Sequence, residues 1–111
     1  MAQRTIEPKI KKLAERYVKH LRTDDYPVTH AFVFGSRARG TAREDSDLDI
    51  AIVSPRITNS VFSNADLLCK AHELDLKAEG IYIEPHGFRP DDFVDENPLV
   101  WEIKRTGIPI A

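Results

Sequence analysis

The chain has 111 residues, 31% of them charged and 41% hydrophobic, which predicts one globular domain with an ordinary core. Cys69 is the only cysteine, so internal disulfides and cysteine zinc sites are excluded, and the formal net charge of −2 gives no global case for nucleic-acid binding. The apolar runs at 31–34 and 50–53 fall far short of a bilayer span, and the charged start, MAQRTIEPKIKK, has no apolar stretch behind it, so neither membrane insertion nor a signal peptide is expected and a cytoplasmic setting follows.

Ile6, Ile10, Leu13, Ala14, Tyr17, Val18 and Leu21 keep helical spacing and predict a first helix over about residues 5–22, with Thr5 as N-cap and Pro8 tolerated in the first turn. Its cations, Arg4, Lys9, Lys11, Lys12, Arg16, Lys19 and Arg22, outnumber Glu7 and Glu15. A solvated helix face is preferred over a phosphate or nucleic-acid contact surface, and the nucleic-acid reading is weakened further because Tyr17 is the only aromatic residue among the cations. Nucleic acid is therefore not an expected partner.

Pro27 restarts the chain in extended form, and Val28 to Phe34 reads as a buried strand closed by Gly35. A polar stretch, Ser36 to Ser46, leaves room for a short helix before a second strand, Leu48 to Val53, that stops at Ser54-Pro55. A long helix is expected from Asn59 or Ser60 to Glu79, with Val61, Ala65, Leu68 and His72 on one stripe, Leu67, Ala71, Leu74 and Ala78 on its neighbour, and Gly80 as the stop. Ile81 to Gly87 is a third strand, placing Ile81 and Ile83 on one face and Tyr82, Glu84 and His86 on the other. After a turn at 89–93, the last helix opens with Asn97 as N-cap and Pro98 at its first position, and it ends with Lys104 and Arg105 before Gly107. The whole is an α+β arrangement within residues 1–111, a small sheet flanked by helices.

The chemistry concentrates at residues 34–50. Asp47 and Asp49 open the second strand two residues apart, which aims two carboxylates at one spot. Side by side they repel unless a cation sits between them, so the pair points to a divalent metal site; with oxygen ligands and no nearby cysteine, magnesium or manganese is favoured over zinc. Upstream, Gly35 and Ser36 open a turn whose backbone N–H groups and hydroxyl suit phosphate oxygens, and Arg37, Arg39 and Arg43 supply cations for the same anion. A P-loop is excluded because Thr41 follows the second glycine and no Lys-Ser/Thr pair is present. A calcium loop is excluded because Ile50 stands where its glycine must be and Arg56 where its glutamate must be. The competing structural reading, a solvated turn and cap, covers Asp45 and Ser46 but leaves the two carboxylates ahead of an apolar strand unexplained.

Gly35-Ser36, Arg39-Gly40 and Ser46-Asp47-Leu48-Asp49 before an apolar strand resemble the signature of the nucleotidyltransferases of the DNA polymerase β superfamily, in the short form of the minimal nucleotidyltransferases paired as antitoxins with all-helical HEPN toxins. The resemblance follows the element order of the whole chain, while its specific motif spans residues 34–53. It implies a polymerase β-like core in which Gly35, Ser36 and Arg39 bind the phosphates of ATP or another nucleoside triphosphate. It further implies that Asp47 and Asp49 hold two magnesium ions, with manganese as the alternative, and that a third carboxylate on a later strand completes the site. Glu84 is the choice for that third ligand; the competing readings are an exposed strand-end acid before Pro85 and a register in which Tyr82 stands where the acid was lost. His86 is read as a strand-end polar residue, His72 as a partly buried helix residue, and Trp101 as a core or interface anchor, while His20 and His30 stand beside no motif.

Two functions follow as expectations. The first is magnesium-dependent transfer of a nucleoside monophosphate, AMP from ATP, onto a hydroxyl of a partner, with Asp47, Asp49 and Glu84 as the catalytic and metal-binding set. The short chain leaves the acceptor to a HEPN-like protein or a second copy. The alternative is a non-catalytic nucleotide-binding antitoxin or regulatory subunit acting by occlusion, with the apolar tail Ile108-Pro109-Ile110-Ala111 free to dock on another chain.

Overall fold

The computed structural model describes residues 6–43, 46–58, 61–75 and 81–111, apart from the side chains of 61–64, 74 and 75. The proposed cap Thr5, the acid Asp45, the helix start at Asn59 or Ser60 and the stop at Gly80 lie outside the described residues. In chain order the elements are α1 (Pro8–Thr23), β1 (His30–Phe34), α2 (Ser36–Arg39), β2 (Leu48–Val53), α3 (Val61–Asp75), β3 (Ile83–Phe88), a 3-10 turn (Pro90–Asp92), α4 (Pro98–Thr106) and β4 (Ile108–Pro109).

Helix α1 starts at Pro8, which has no N–H to leave unpaired in a first turn, and the carbonyl of Glu7 accepts from the N–H groups of Ile10 and Lys11 at 3.0 Å each. Ile10, Leu13, Ala14, Tyr17, Val18 and Leu21 form its buried stripe. Lys9, Lys11, Lys12, Arg16, Lys19 and Arg22 lie on exposed positions, a solvated cationic face. Strand β1 begins at His30 and not at Val28, because the Val28 carbonyl is held by Arg22 Nη2 at 2.8 Å and is thereby committed to α1.

The sheet is mixed, in the order β3-β2-β1-β4: β1 runs antiparallel to β2 and to β4, and β2 runs parallel to β3. A parallel neighbour needs a crossover, which α3 supplies. Alternation then sorts the two faces. Ala31, Val33, Leu48, Ile50 and Ile52 join the stripe of α1 together with Leu67 and Ala71 of α3 in the main core. Burying each such large aliphatic side chain contributes about 1.5–3 kcal/mol. Tyr17 adds a tie by donating its hydroxyl to the Leu67 carbonyl at 2.9 Å. Of the two stripes read on α3, Leu67 and Ala71 face inward, while Leu68 and His72 are exposed, so His72 is not the partly buried residue expected.

On the opposite face Phe34, Ala51 and Ile103 pack with Phe32, Phe88 and Phe93. Helix α4 covers this side, capped as expected by Asn97, whose Oδ1 accepts from the N–H groups of Leu99 and Val100 at 2.9 and 3.4 Å. Its inward positions are Val100, Ile103 and Thr106. Trp101 falls on the outer side, 48% exposed with the Arg105 guanidinium over its ring, and is not a core residue. The C-terminal tail is engaged within this chain. Ile108 and Pro109 pair with Val33 and Phe32, and Ala31 exchanges hydrogen bonds with Ile110 and Ala111, which covers an edge of β1 that would otherwise stand open.

Candidate active site

The site forms where β1 ends and β2 and β3 begin. Phe34 pairs with Asp49 across the antiparallel ladder, and Asp49 pairs with Glu84 across the parallel one. Residues in register on adjacent strands share a face, so the turn after β1, the Asp49 carboxylate and the Glu84 carboxylate meet at one end of the second face. Pro85, within β3, is compatible with the edge position of that strand.

Gly35 is required in this geometry. Its φ of 74° and ψ of −151° lie in territory reserved for glycine, and a Cβ there would stand 2.6 Å from Asp49 Oδ2. The Gly35 carbonyl accepts from the N–H groups of Ala38 and Arg39 at 3.1 Å, turning the chain into α2 with Ser36, half-buried, at its first position. Arg39 is exposed on the same short helix. Arg37 behaves differently from the anion partner expected of it: it is 8% exposed and donates from Nη2 to the Ser46 carbonyl at 2.8 Å, tying α2 to the segment that leads into Asp47.

Asp49, Glu84 and His86 bring one ligand atom each to within 4.8 Å of one another. His86 Nε2 stands 3.2 Å from Asp49 Oδ1, and its ring meets Phe34 edge-on at 4.9 Å between centroids. The Glu84 carboxyl, on an exposed residue, is held above its ordinary range, first by partial desolvation, then by a hydrogen bond and repulsion from Asp49, with a further push from Asp47; His86 acts in the opposite sense. Crowded carboxylates of this kind are relieved by a divalent cation, and two oxygens with one nitrogen are a donor set that fits one. Asp47 is exposed one residue ahead of β2, where no ladder fixes its direction; its charge reaches Glu84, but it stands outside the close group. Glu84, not Tyr82, is level with Asp49.

His86 is the residue that sequence reasoning placed on the right face without a role. The signal was its position two residues beyond Glu84 on the same face of the strand; the small Ala51 opposite it emerges only from the β2–β3 register. A second group, His20, Asp24 and Glu73, bridges α1 and α3, but there the Lys70 ammonium already sits 2.7 Å from Asp24 Oδ2.

A mixed sheet carrying a Gly-Ser turn beside paired carboxylates defines a nucleotidyltransferase fold. A match to the nucleotidyltransferase domain extends over residues 11–107, and the chain belongs to that family. Membership implies a nucleoside triphosphate substrate and a divalent metal. No curated protein matches in sequence. Among solved structures, one similar fold is a toxin–antitoxin crystallised with AMP-PNP, 22% identical, with 87% of this chain and 72% of that one covered at a TM-score of 0.60. Another is a protein from Sulfolobus solfataricus assigned as a nucleotidyltransferase, 18% identical, with 91% and 78% covered at 0.60. A third is a complex from Shewanella oneidensis of a tri-AMPylated HEPN toxin with an MNT antitoxin, 18% identical, with 91% and 71% covered at 0.54.

Proposed function

We propose that this chain transfers a nucleoside monophosphate, AMP from ATP, onto a hydroxyl of a HEPN-type partner protein, as an antitoxin that modifies its toxin. The observation that carries the reading is the register of Asp49 with Glu84, which stands a carboxylate from a later strand beside the motif aspartate. The fold shared with an MNT antitoxin that accompanies a tri-AMPylated HEPN toxin supports the acceptor class.

Gly35 and Ser36 would receive the β- and γ-phosphates through backbone N–H groups and the Ser36 hydroxyl, with Arg39 near enough along α2 to add charge. Asp47, Asp49 and Glu84 would hold the divalent cations, magnesium or manganese. Bound there, the metal supplies neutralisation of the triphosphate and of charge developing at the α-phosphorus. The acceptor oxygen attacks the α-phosphorus in line, the bond to the bridging oxygen of the β-phosphate breaks, and pyrophosphate leaves. The acceptor proton passes to a carboxylate of the site or to solvent, with Glu84 the best placed.

The occlusion reading drew on an uncertain third carboxylate and a free apolar tail. Glu84 beside Asp49 and a tail paired with β1 weigh against it. The test is incubation of the protein and its HEPN-type partner with α-labelled ATP and magnesium or manganese. Label on the partner with wild type, and at least about a hundredfold less with Asp49→Ala, is expected from loss of a group that stabilises the transition state. An unlabelled partner, with neutralisation intact in Asp47→Ala/Asp49→Ala cells, would favour occlusion.

A further inference from the structure

We propose that His86 is a nitrogen ligand of the cation site, so that this centre binds its metal through Asp49, Glu84 and His86 and prefers a first-row transition ion over magnesium. The inference rests on reading the site as a metal centre.

Three features place the imidazole there. His86 is two residues along β3 from Glu84, so alternation returns its side chain to the face that carries both carboxylates. In the β2–β3 register its neighbour is Ala51, whose methyl group leaves room for the ring to lean back toward Asp49, one pair away on the same face. Phe34, paired with Asp49 from the other side, meets the ring at an interplanar angle of 69° and braces it.

The spacing is that of neighbouring ligands. With metal–ligand bonds of about 2.1 Å, adjacent ligands of an octahedral ion lie about 3 Å apart. His86 Nε2 and Asp49 Oδ1 are separated by 3.2 Å. The same contact without a metal is an N–H···O hydrogen bond, so the ring can exchange one partner for the other with little movement. Its chemistry decides the preference. Carboxylates alone suit magnesium, a reluctant acceptor of nitrogen, whereas imidazole adds affinity for transition ions. Asp47, exposed and outside the close group, remains available to a second ion or to the triphosphate.

The test is electron spin-echo modulation of the full chain loaded with manganese, together with calorimetric titration by manganese and by magnesium. Wild type is expected to show coupling to an imidazole nitrogen and to bind manganese more tightly than magnesium. His86→Ala is expected to lose the coupling and weaken manganese by about tenfold or more while changing magnesium by less than about twofold. His20→Ala, in the other histidine-containing cluster, is expected to keep the coupling. Saturable manganese binding without nitrogen coupling in wild type would overturn the inference and leave the metal centre standing; so would coupling that survives in His86→Ala, or equal loss of both metals. Failure of wild type to bind either ion would overturn the metal reading itself. The wild-type spectrum requires no variant to fold.

Discussion

Gly35 and Asp49 make one unit: the backbone of the turn occupies space that any side chain would take from the carboxylate. Gly35→Ala places a methyl group against Asp49 Oδ2 and forces a backbone conformation that L-residues avoid. A stability loss of about 1–3 kcal/mol is expected from the strained backbone, read as a lower denaturant midpoint with an unchanged slope, together with weaker metal binding. An alanine variant as stable and as metal-competent as wild type would show that the turn relaxes freely. Glu84 carries a pH prediction. Its carboxyl sits above the ordinary 4.5 because partial desolvation, and then the neighbouring Asp49 carboxylate, disfavour its charged form. A raised value means protonation begins at higher pH than for an ordinary glutamate, and a protonated carboxyl is a poor ligand, so metal affinity is expected to fall as the pH is lowered toward the carboxylate range, with the loss setting in above 4.5. Titration calorimetry at fixed ionic strength checks this; constant affinity across that range would contradict it. Asp49 and the Gly-Ser turn were legible as residues because their chemistry is local in sequence. His86 was not, since its value comes from Ala51 and Asp49 on another strand, and a register between distant strands leaves no mark in a single chain.

At the scale of elements, periodicity located α1, β2, β3 and α4, because each buries one face and its apolar residues must recur at the spacing of that face. It failed where tertiary partners decide. The inward stripe of α3 proved to be Leu67 and Ala71, which join the buried stripe of α1 and the sheet residues in the main core, and propensity does not choose between adjacent stripes. The tail at 108–111 looked like a docking segment because two residues of ladder with a proline carry almost no strand signal. It is instead the fourth strand, with Ile108 and Ile110 packed against the main core. Removal of residues 108–111 is therefore expected to cost about 2 kcal/mol or more from lost burial, seen as a lower melting temperature, and to promote association through the bared edge of β1. A truncated chain that melts as wild type does would contradict the pairing of β4.

At the scale of the molecule, the fold divides labour between the faces of one sheet. The α1–α3 side holds the large core. The opposite side carries an aromatic pad over its middle and, at the end where β2 and β3 start, the acidic group. Such an arrangement lets a rigid sheet hold charged side chains close together, at a cost in repulsion that a cation offsets. Membership in the nucleotidyltransferase domain family supplies the chemistry for which that geometry is suited. The most direct test is a crystal grown with manganese and a non-hydrolysable ATP analogue, examined by anomalous scattering. Manganese is expected within about 2.0–2.3 Å of Asp49 and Glu84 oxygens, with the β- and γ-phosphates on the Gly35-Ser36 turn. A triphosphate bound elsewhere, or bound at the turn with no metal between Asp49 and Glu84, would contradict it.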